Sequence, residues 1–281
     1  MKLRRHGSVE EFLRKAGDFL AAREAEHNLI LGLCSLLRSE PRLYGEDPYF
    51  ATAEAAGRVV AAAVRTPPHN LVLSEVDDER ALEPLVADVH ALFERLPGVL
   101  GPTDAAARFG ACWEAATGAK AKRAIAERIF RAERVTPPLG VPGAMRPYQE
   151  SHRGLALRWL EAFVAEALPE PGPEPAEGFL ERRLAEPEGG VMLWEDGEPV
   201  SLAAAGGPTP NGIRIGPVYT PPERRGHGYA SALVAELTRV HLERGRRFCF
   251  LFTDLANPTS NDIYQRVGYR PVSDVDQWSF D

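Results

Sequence analysis

One segment carries most of the information in this 281-residue sequence: Thr220-Pro-Pro-Glu-Arg-Arg-Gly-His-Gly-Tyr-Ala-Ser231. It lies between a predicted strand, Ile213–Tyr219, and a predicted amphipathic helix, Tyr229–Arg244. Its two glycines let the backbone approach a ligand closely, and the free N–H groups at the start of a helix bind anions. Arg224 and Arg225 add positive charge. The segment therefore predicts a pyrophosphate site, the alternative being a glycine-rich turn with solvated arginines.

The elements around this segment are those of a mixed α/β domain. Hydrophobic periodicity predicts helices over residues 152–167, 176–184 and 257–267, and strands over 191–194, 200–204, 248–252, 269–272 and 277–280. Gly216-Pro217 lies inside the strand Ile213–Tyr219. Because proline has no N–H for the strand ladder, we expect that strand to be distorted there.

The first half shows a similar order. Helices are predicted over residues 9–21, 25–37, 79–96 and 103–117, and strands over 49–52, 58–64, 70–74 and 124–135. Two short stretches recur in the same order: Gly57-Arg-Val-Val-Ala-Ala-Ala resembles Gly197-Glu-Pro-Val-Ser-Leu-Ala-Ala-Ala, and Pro84-Leu-Val-Ala-Asp-Val resembles Ala232-Leu-Val-Ala-Glu-Leu. This order predicts a tandem duplication of one fold.

The predicted boundary between the two copies is the segment Val135–Gly143. Three prolines and two glycines in nine residues cannot continue a helix or a central strand. We therefore predict one domain over residues 1–140 and a second over 141–281.

Composition excludes several classes of protein. Hydrophobic residues make up 44% and charged residues 26%, as in globular proteins. A net charge of −7 argues against nucleic acid as a partner, because phosphate binding needs a basic surface. Apolar runs are far shorter than the ~20 residues of a membrane span, and residues 1–10 do not resemble a signal peptide. Three scattered cysteines indicate neither a disulfide framework nor a zinc site, so we expect a cytoplasmic protein without a metal, whose oligomeric state stays open.

Two motifs together resemble a known family. The run Arg225-x-x-Gly228-x-Ala230 after Pro222 resembles motif A of the GNAT N-acetyltransferase superfamily. Downstream, Asn257 followed by Tyr264 and then by Gly268-Tyr269 resembles that family's next helix. The resemblance is specific over about residues 190–272 and only architectural over residues 1–140. It implies an α/β protein of two tandem GNAT-like domains, each a mixed, mostly antiparallel sheet flanked by helices, with the N-terminal domain degenerate.

The resemblance also implies a donor, acetyl-CoA, and residues that bind it. The pyrophosphate would rest on the N–H groups of the turn, which are those of Arg225, Gly226, His227, Gly228, Tyr229, Ala230 and Ser231. The pantetheine arm would pair with the splayed strand at Val218, Tyr219 and Thr220. Asn257 and Ser260 would face the donor from the following helix.

The implied reaction is transfer of the acetyl group to an amine by direct attack. Tyr264 stands where the family places its general acid, and a tyrosine can protonate the leaving thiolate at neutral pH. The alternative for Tyr264 is packing on the sheet. The strand Ile213–Tyr219 has no carboxylate to act as base, so Asp254, Glu195 and a water chain stay open.

The acceptor is predicted to be a small amine. Residues 161–198 hold eleven acidic residues and two arginines, Arg182 and Arg183, in the region that lines the acceptor side in the family. Such a patch either attracts a cationic amine or is a solvated helix face.

Two other functions fit parts of the sequence. Gly226-x-Gly228-x-x-Ser231 partly matches a dinucleotide-binding fingerprint, but its third glycine is serine and too few residues follow Asp254 for the remaining βαβ units. A non-catalytic acyl-CoA sensor or interaction module on the same fold is the second alternative, since fold does not fix function.

One donor per chain is expected. In the first half, the segment equivalent to the phosphate turn is Ser74-Glu-Val-Asp-Asp-Glu-Arg80, where three consecutive acids would repel a pyrophosphate and no glycine opens the turn. Calorimetric titration should give one acetyl-CoA site, and two sites of equal affinity would contradict the assignment.

Overall fold

The computed structural model describes residues 1–167 and 174–281. Within them the chain forms two compact units, Met1–Arg128 together with Ser273–Asp281, and Ile129–Val272. These units differ from the predicted ranges at two places, because residues 129–140 lie in the second unit and residues 273–281 in the first. The ranges 1–140 and 141–281 remain a prediction of where each domain begins in the sequence.

The first unit is a sheet with four helices. Its helices are α1 (Val9–Ala21), α2 (Asn28–Ser39), α3 (Leu82–Leu92) and α4 (Thr103–Thr117), and its strands include β1 (Lys2–His6), β2 (Tyr49–Ala55), β3 (Arg58–Arg65), β4 (Leu71–Leu73) and β5 (Gly98–Pro102). Strand β12 (Arg270–Phe280) completes the order β1-β2-β3-β4-β5-β12 by pairing its residues Val275–Ser279 with β5. The β4–β5 pair is parallel and the other neighbours are antiparallel.

The second unit has the same kind of sheet. Strand β6 (Ala121–Ala132) leads into it; its own strands include β7 (Ala144–Pro147), β8 (Gly190–Asp196), β9 (Glu198–Gly206), β10 (Gly212–Tyr219) and β11 (Phe248–Asp254), and its helices α5 (Arg153–Ala167), α6 (Ala176–Ala185), α7 (Tyr229–Glu243) and α8 (Pro258–Val267). The strand order is β7-β8-β9-β10-β11, with β10 and β11 parallel and the other pairs antiparallel. The prediction of mixed, mostly antiparallel sheets flanked by helices is confirmed.

Side chains of the second sheet alternate between its two faces, and helices cover both faces. Leu202 and Ala204 of β9 pack with the cluster formed by α5 and α6, whereas Ala203 of the same strand packs with α7. In β10, Tyr219 faces the first cluster and Val218 the second. Consecutive residues of β10 are therefore fixed by helices on opposite faces. Among the described residues, no helix is long and apolar enough to cross a membrane.

The two units repeat each other in detail, as the predicted duplication requires. The order β2-β3-β4-α3-β5-α4 in the first matches β8-β9-β10-α7-β11-α8 in the second. The hairpins turn at Gly57 and Gly197, whose φ angles are +80° and +74°. A register shift precedes each turn, between Ala53 and Glu54 and between Trp194 and Glu195.

Some strands are not predicted from the sequence. β5 contains two glycines and a proline, which is typical of a loop, yet a Cβ on Gly98 would lie 2.0 Å from the Trp278 carbonyl oxygen, so glycine allows the neighbouring strand to approach. β1 is mostly charged, and β7 is only four residues long. The two predicted closing strands, 269–272 and 277–280, form the single strand β12. Helix α3 is shorter than the predicted 79–96.

The second unit is expected to lose stability in acid through His241. Its side chain is 3% exposed on α7, and burial lowers its pKa to about 4. The unfolded pKa is about 6.5, so the contribution is fully present above that pH and is lost as the pH falls toward 4, a change of up to about 3 kcal/mol. Urea unfolding at pH 7 and pH 4.5 should show a smaller loss for His241→Gln than for the wild type. Equal losses in the two proteins would contradict this linkage.

Candidate active site

The site begins where two parallel strands part. β10 and β11 pair only between Gly212–Arg214 and Phe248–Phe250. The register of β10 with β9 shifts between Ile215 and Val218, at the predicted Gly216-Pro217 distortion. Val218 and Tyr219 still pair with β9, so among the described residues their other backbone edge has no strand partner. Such an edge accepts an extended ligand as an added strand.

The turn after β10 presents backbone N–H groups. Gly226 and Gly228 both adopt the left-handed conformation, with φ of +81° and +82°. Gly228 caps α7 without a side-chain hydrogen bond, and the N–H of Ala232 donates to its carbonyl oxygen. The first turn of α7 therefore has three N–H groups without a partner inside the helix, those of Tyr229, Ala230 and Ser231. They point out of its N-terminal end. A Cβ on Gly228 would lie 2.9 Å from Val141 Cγ2, so glycine is required there by both conformation and space.

The backbone N–H of Arg225 makes a hydrogen bond within the protein, whereas it is predicted from the sequence to bind the pyrophosphate. It donates to the Pro222 carbonyl oxygen at 3.2 Å, closing a short 3-10 turn. The guanidinium contacts the protein instead: Nε donates to the Thr220 carbonyl oxygen at 2.8 Å and Nη2 to Glu166 Oε2 at 2.6 Å. Thr220 is further held by its hydroxyl, 2.9 Å from the Ser201 hydroxyl. The N–H of Arg225 is thus used within the turn, and its guanidinium is held by Thr220 and Glu166.

Side chains of the turn also contact the neighbouring hairpin. The Tyr229 hydroxyl donates to Asp196 Oδ2 at 2.7 Å, and Arg224 pairs with Glu198. The exposed His227 ring stacks on Tyr229 with 5.5 Å between centroids, and its Nδ1 lies 2.9 Å from the Arg225 carbonyl oxygen. Sequence reasoning missed Glu166 and Asp196 as partners of the turn, since neither falls in a motif.

The start of α8 shows how Asn257 and Ser260 are used. Asn257 caps the helix by accepting from the Ser260 N–H at 3.0 Å. The Asn257 side-chain NH2 and the Ser260 hydroxyl have no hydrogen-bond partner among the described residues. Asn261, which sequence reasoning also missed, ties the helix to the end of β11. Its side chain accepts from the Thr253 hydroxyl at 2.7 Å and donates to the Asp254 carbonyl oxygen at 2.9 Å.

Tyr264 and Tyr269 have different environments. The Tyr269 hydroxyl is fully buried and lies 2.7 Å from the Thr238 hydroxyl, so this residue is part of the core. Tyr264 is half-buried on α8, with its ring 6.1 Å from that of Tyr269, and its hydroxyl makes no hydrogen bond within the described residues. Burial raises the pKa of Tyr264 to about 12. Of the two hydroxyls, that of Tyr264 is the one without a partner among the described residues.

Arginines pair with much of the acidic stretch. Among residues 161–198, Glu170 lies outside the described residues, and seven carboxylates pair with arginine: Glu166, Glu174, Glu177, Glu181, Glu186, Glu188 and Glu198. The arginines come from both inside and outside the stretch. Because Arg153 and Arg182 each pair with two carboxylates, the stretch keeps a net negative charge, and attraction of a cationic acceptor stays a prediction.

The two carboxylates considered as bases have structural partners. Asp254 Oδ1 accepts from the Ala256 N–H at 2.8 Å and so stabilises the turn after β11. Glu195 Oε1 lies 3.9 Å from His152 Nε2. Neither contact singles out a base.

The equivalent place in the first unit is acidic. Asp78 Oδ1 accepts from the Arg80 N–H at 3.1 Å, so a carboxylate already occupies the start of the short helix there. A cavity of about 440 Å³ beside it is lined by Glu75, Glu79 and Asp104. Burial raises the pKa of Glu75. That this unit does not bind a pyrophosphate stays a prediction.

Residues 156–269 match the acetyltransferase (GNAT) family model. Three solved structures share the fold. A GCN5-related N-acetyltransferase from Kribbella flavida is 16% identical, with 79% of this chain and 86% of that chain covered and a TM-score of 0.56. A tandem GNAT protein from the clavulanic acid biosynthesis pathway is 12% identical over 99% of this chain and 98% of that chain, with a TM-score of 0.57.

A Drosophila protein is 12% identical, with 99% of this chain and 98% of that chain covered and a TM-score of 0.70. At these identities the likeness concerns the fold alone. It confirms the predicted tandem arrangement. No curated protein matches the sequence.

A charge placed at the start of α7 tests whether the glycine turn binds the pyrophosphate. Ser231→Asp adds a carboxylate in the first helical turn, where it favours the helix by about 0.3–1 kcal/mol. The same carboxylate would repel a pyrophosphate, so we expect acetyl-CoA affinity to fall about tenfold or more without loss of thermal stability. Ser231→Asn, of the same shape but neutral, should bind far better than Ser231→Asp in calorimetry. Equal affinities of the two variants would show that the anion binds elsewhere.

Proposed function

We propose that this chain, whose residues 156–269 match the GNAT acetyltransferase family, transfers an acetyl group from acetyl-CoA to a primary amine by direct attack. The proposal rests on three features that occur together in the second unit: an open strand edge, a glycine turn and a tyrosine hydroxyl. An unpaired edge of β10 leads into a glycine turn with outward N–H groups and Arg225, and α8 presents a tyrosine hydroxyl without a partner among the residues described.

The donor fits the groups at the turn. The N–H groups of residues 226–231 and the Arg225 guanidinium suit a pyrophosphate, which binds at helix N-termini. The free edge of Val218, Tyr219 and Thr220 suits the amides of the pantetheine arm. The Asn257 amide and the Ser260 hydroxyl supply further polar contacts. Gly228 allows the close approach, because a side chain there would meet Val141.

The chemistry requires one proton donor for the thiolate. The amine lone pair forms a bond to the carbonyl carbon, the carbon–sulfur bond breaks, and the sulfur takes the proton of the Tyr264 hydroxyl. The tyrosine then regains a proton, and the one lost by the amine passes to a base or to water.

A phenol with a pKa of about 12 can protonate a thiolate efficiently only if the pKa of the thiol is raised as well, and an apolar environment raises it. Burial has that effect in this protein, since it raises the pKa of Cys34 and of Cys249 to about 12. A thiolate that the bound donor and Tyr264 shield from water to a similar degree would be basic enough to take its proton.

The function itself is tested by an acceptor screen. Acetyl-CoA is incubated with the protein and with amines, aminoglycosides, polyamines or peptide N-termini, and release of free thiol is followed. Acetylation of at least one primary amine is expected. Binding of acetyl-CoA without turnover of any acceptor would support a non-catalytic sensor, and absence of binding would refute the proposal.

The role of Tyr264 is tested by Tyr264→Phe. The ring keeps its packing and the proton donor is lost, so turnover should fall by about 10²–10⁴ while acetyl-CoA affinity changes little. Activity of the wild type should not decline through ionisation of Tyr264 up to about pH 10, because the active form is protonated and its pKa is about 12.

The matched control is Tyr269→Phe, which removes the buried hydrogen bond to Thr238. It should lower stability by about 1 kcal/mol and leave turnover close to that of the wild type. A normal rate for Tyr264→Phe would make Tyr264 a packing residue.

A further inference from the structure

Glu166 joins two parts of the donor site from outside the motifs. It lies in the last turn of α5, and both of its carboxylate oxygens are used. Oε1 accepts from the Tyr219 hydroxyl at 3.1 Å, and Oε2 accepts from Arg225 Nη2 at 2.6 Å. One carboxylate therefore links the end of β10 to the phosphate turn.

These contacts fix one edge of the Arg225 guanidinium. Nε donates to the Thr220 carbonyl oxygen and Nη2 to Glu166, while the guanidinium carbon lies 5.8 Å from the centre of the Tyr219 ring. The second edge, formed by Nη1 and the other hydrogen of Nη2, has no partner within residues 1–167 and 174–281. A planar guanidinium with one free edge is suited to two parallel hydrogen bonds with a phosphate.

Arg224 is held differently. Its guanidinium pairs with Glu198 through one nitrogen and makes no further hydrogen bond in the part of the chain that the structure describes. Both arginines are about half-exposed, so the difference lies in restraint and not in burial. Binding to an arginine that is already fixed costs less side-chain entropy.

We propose that Glu166 is a positioning residue of the donor site, which holds Arg225 with its free guanidinium edge available to the donor pyrophosphate. The inference rests on the proposed function, because it takes acetyl-CoA as the donor. A carboxylate so close to an anion site also has an opposing effect, since its charge repels the pyrophosphate. The sign of the change on removing Glu166 decides which effect is larger.

The test measures acetyl-CoA affinity by calorimetry and steady-state kinetics with an amine that the wild type acetylates. Glu166→Ala should weaken acetyl-CoA binding about tenfold and raise its KM, with kcat at saturating donor within about twofold of the wild type. Glu166→Gln should regain most of the affinity, because its amide oxygen can still accept from Nη2. In an Arg225→Ala background, Glu166→Ala should have no further effect, since it acts through Arg225.

The matched control is Glu198→Ala, which removes the carboxylate from Arg224 and should change affinity by less than about twofold. Thermal melts establish that each variant is folded. The proposal is overturned if Glu166→Ala binds acetyl-CoA as well as or better than the wild type, if Glu198→Ala is equally weakened, or if the loss persists in the Arg225→Ala background. Failure of the wild type to bind acetyl-CoA would instead refute the proposed function.

Discussion

The candidate site depends on the short pairing of β10 with β11. Two parallel strands in a continuous sheet satisfy each other's backbone groups along their whole length. Here the ladder stops after Arg214, and the chain continues as an open edge, a turn with two left-handed glycines and a helix start without a side-chain cap. Unsatisfied donors in this number are costly unless a ligand or water binds them. Many of the polar groups of the site are thus backbone groups that have no partner among the described residues.

The sequence predicts the features that are determined by local residue patterns and local backbone conformation. Helices α1 and α4 have the predicted bounds, because each has clear hydrophobic periodicity. The glycine turn after β10 and the distortion at Gly216-Pro217 also lie where they are predicted, since glycine and proline determine backbone conformation locally. These features depend on residues that are neighbours in the sequence.

Features that depend on distant residues are not predictable in this way. β5 is a strand because Gly98 lets Trp278 approach, a contact across most of the chain. The carboxylate of Glu166 reaches Arg225 from another helix, and no local pattern marks it. The acidic stretch shows the same limit, because a count of charges along residues 161–198 omits Arg153, Arg224, Arg225 and Arg246, which pair with its carboxylates in space.

The position of β12 has a consequence for synthesis on the ribosome. Val275–Ser279 form the strand next to β5 in the first unit, although the whole second unit lies between them in the sequence. Until those residues emerge, the first unit has an exposed edge at β5, and Phe109 and Trp113 lack the Phe280 ring that stacks beside them. The N-terminal unit therefore cannot finish folding first, as vectorial synthesis usually allows. The first unit can complete its sheet only after the second unit has been translated. Until then the open edge of β5 is exposed to pairing with other chains.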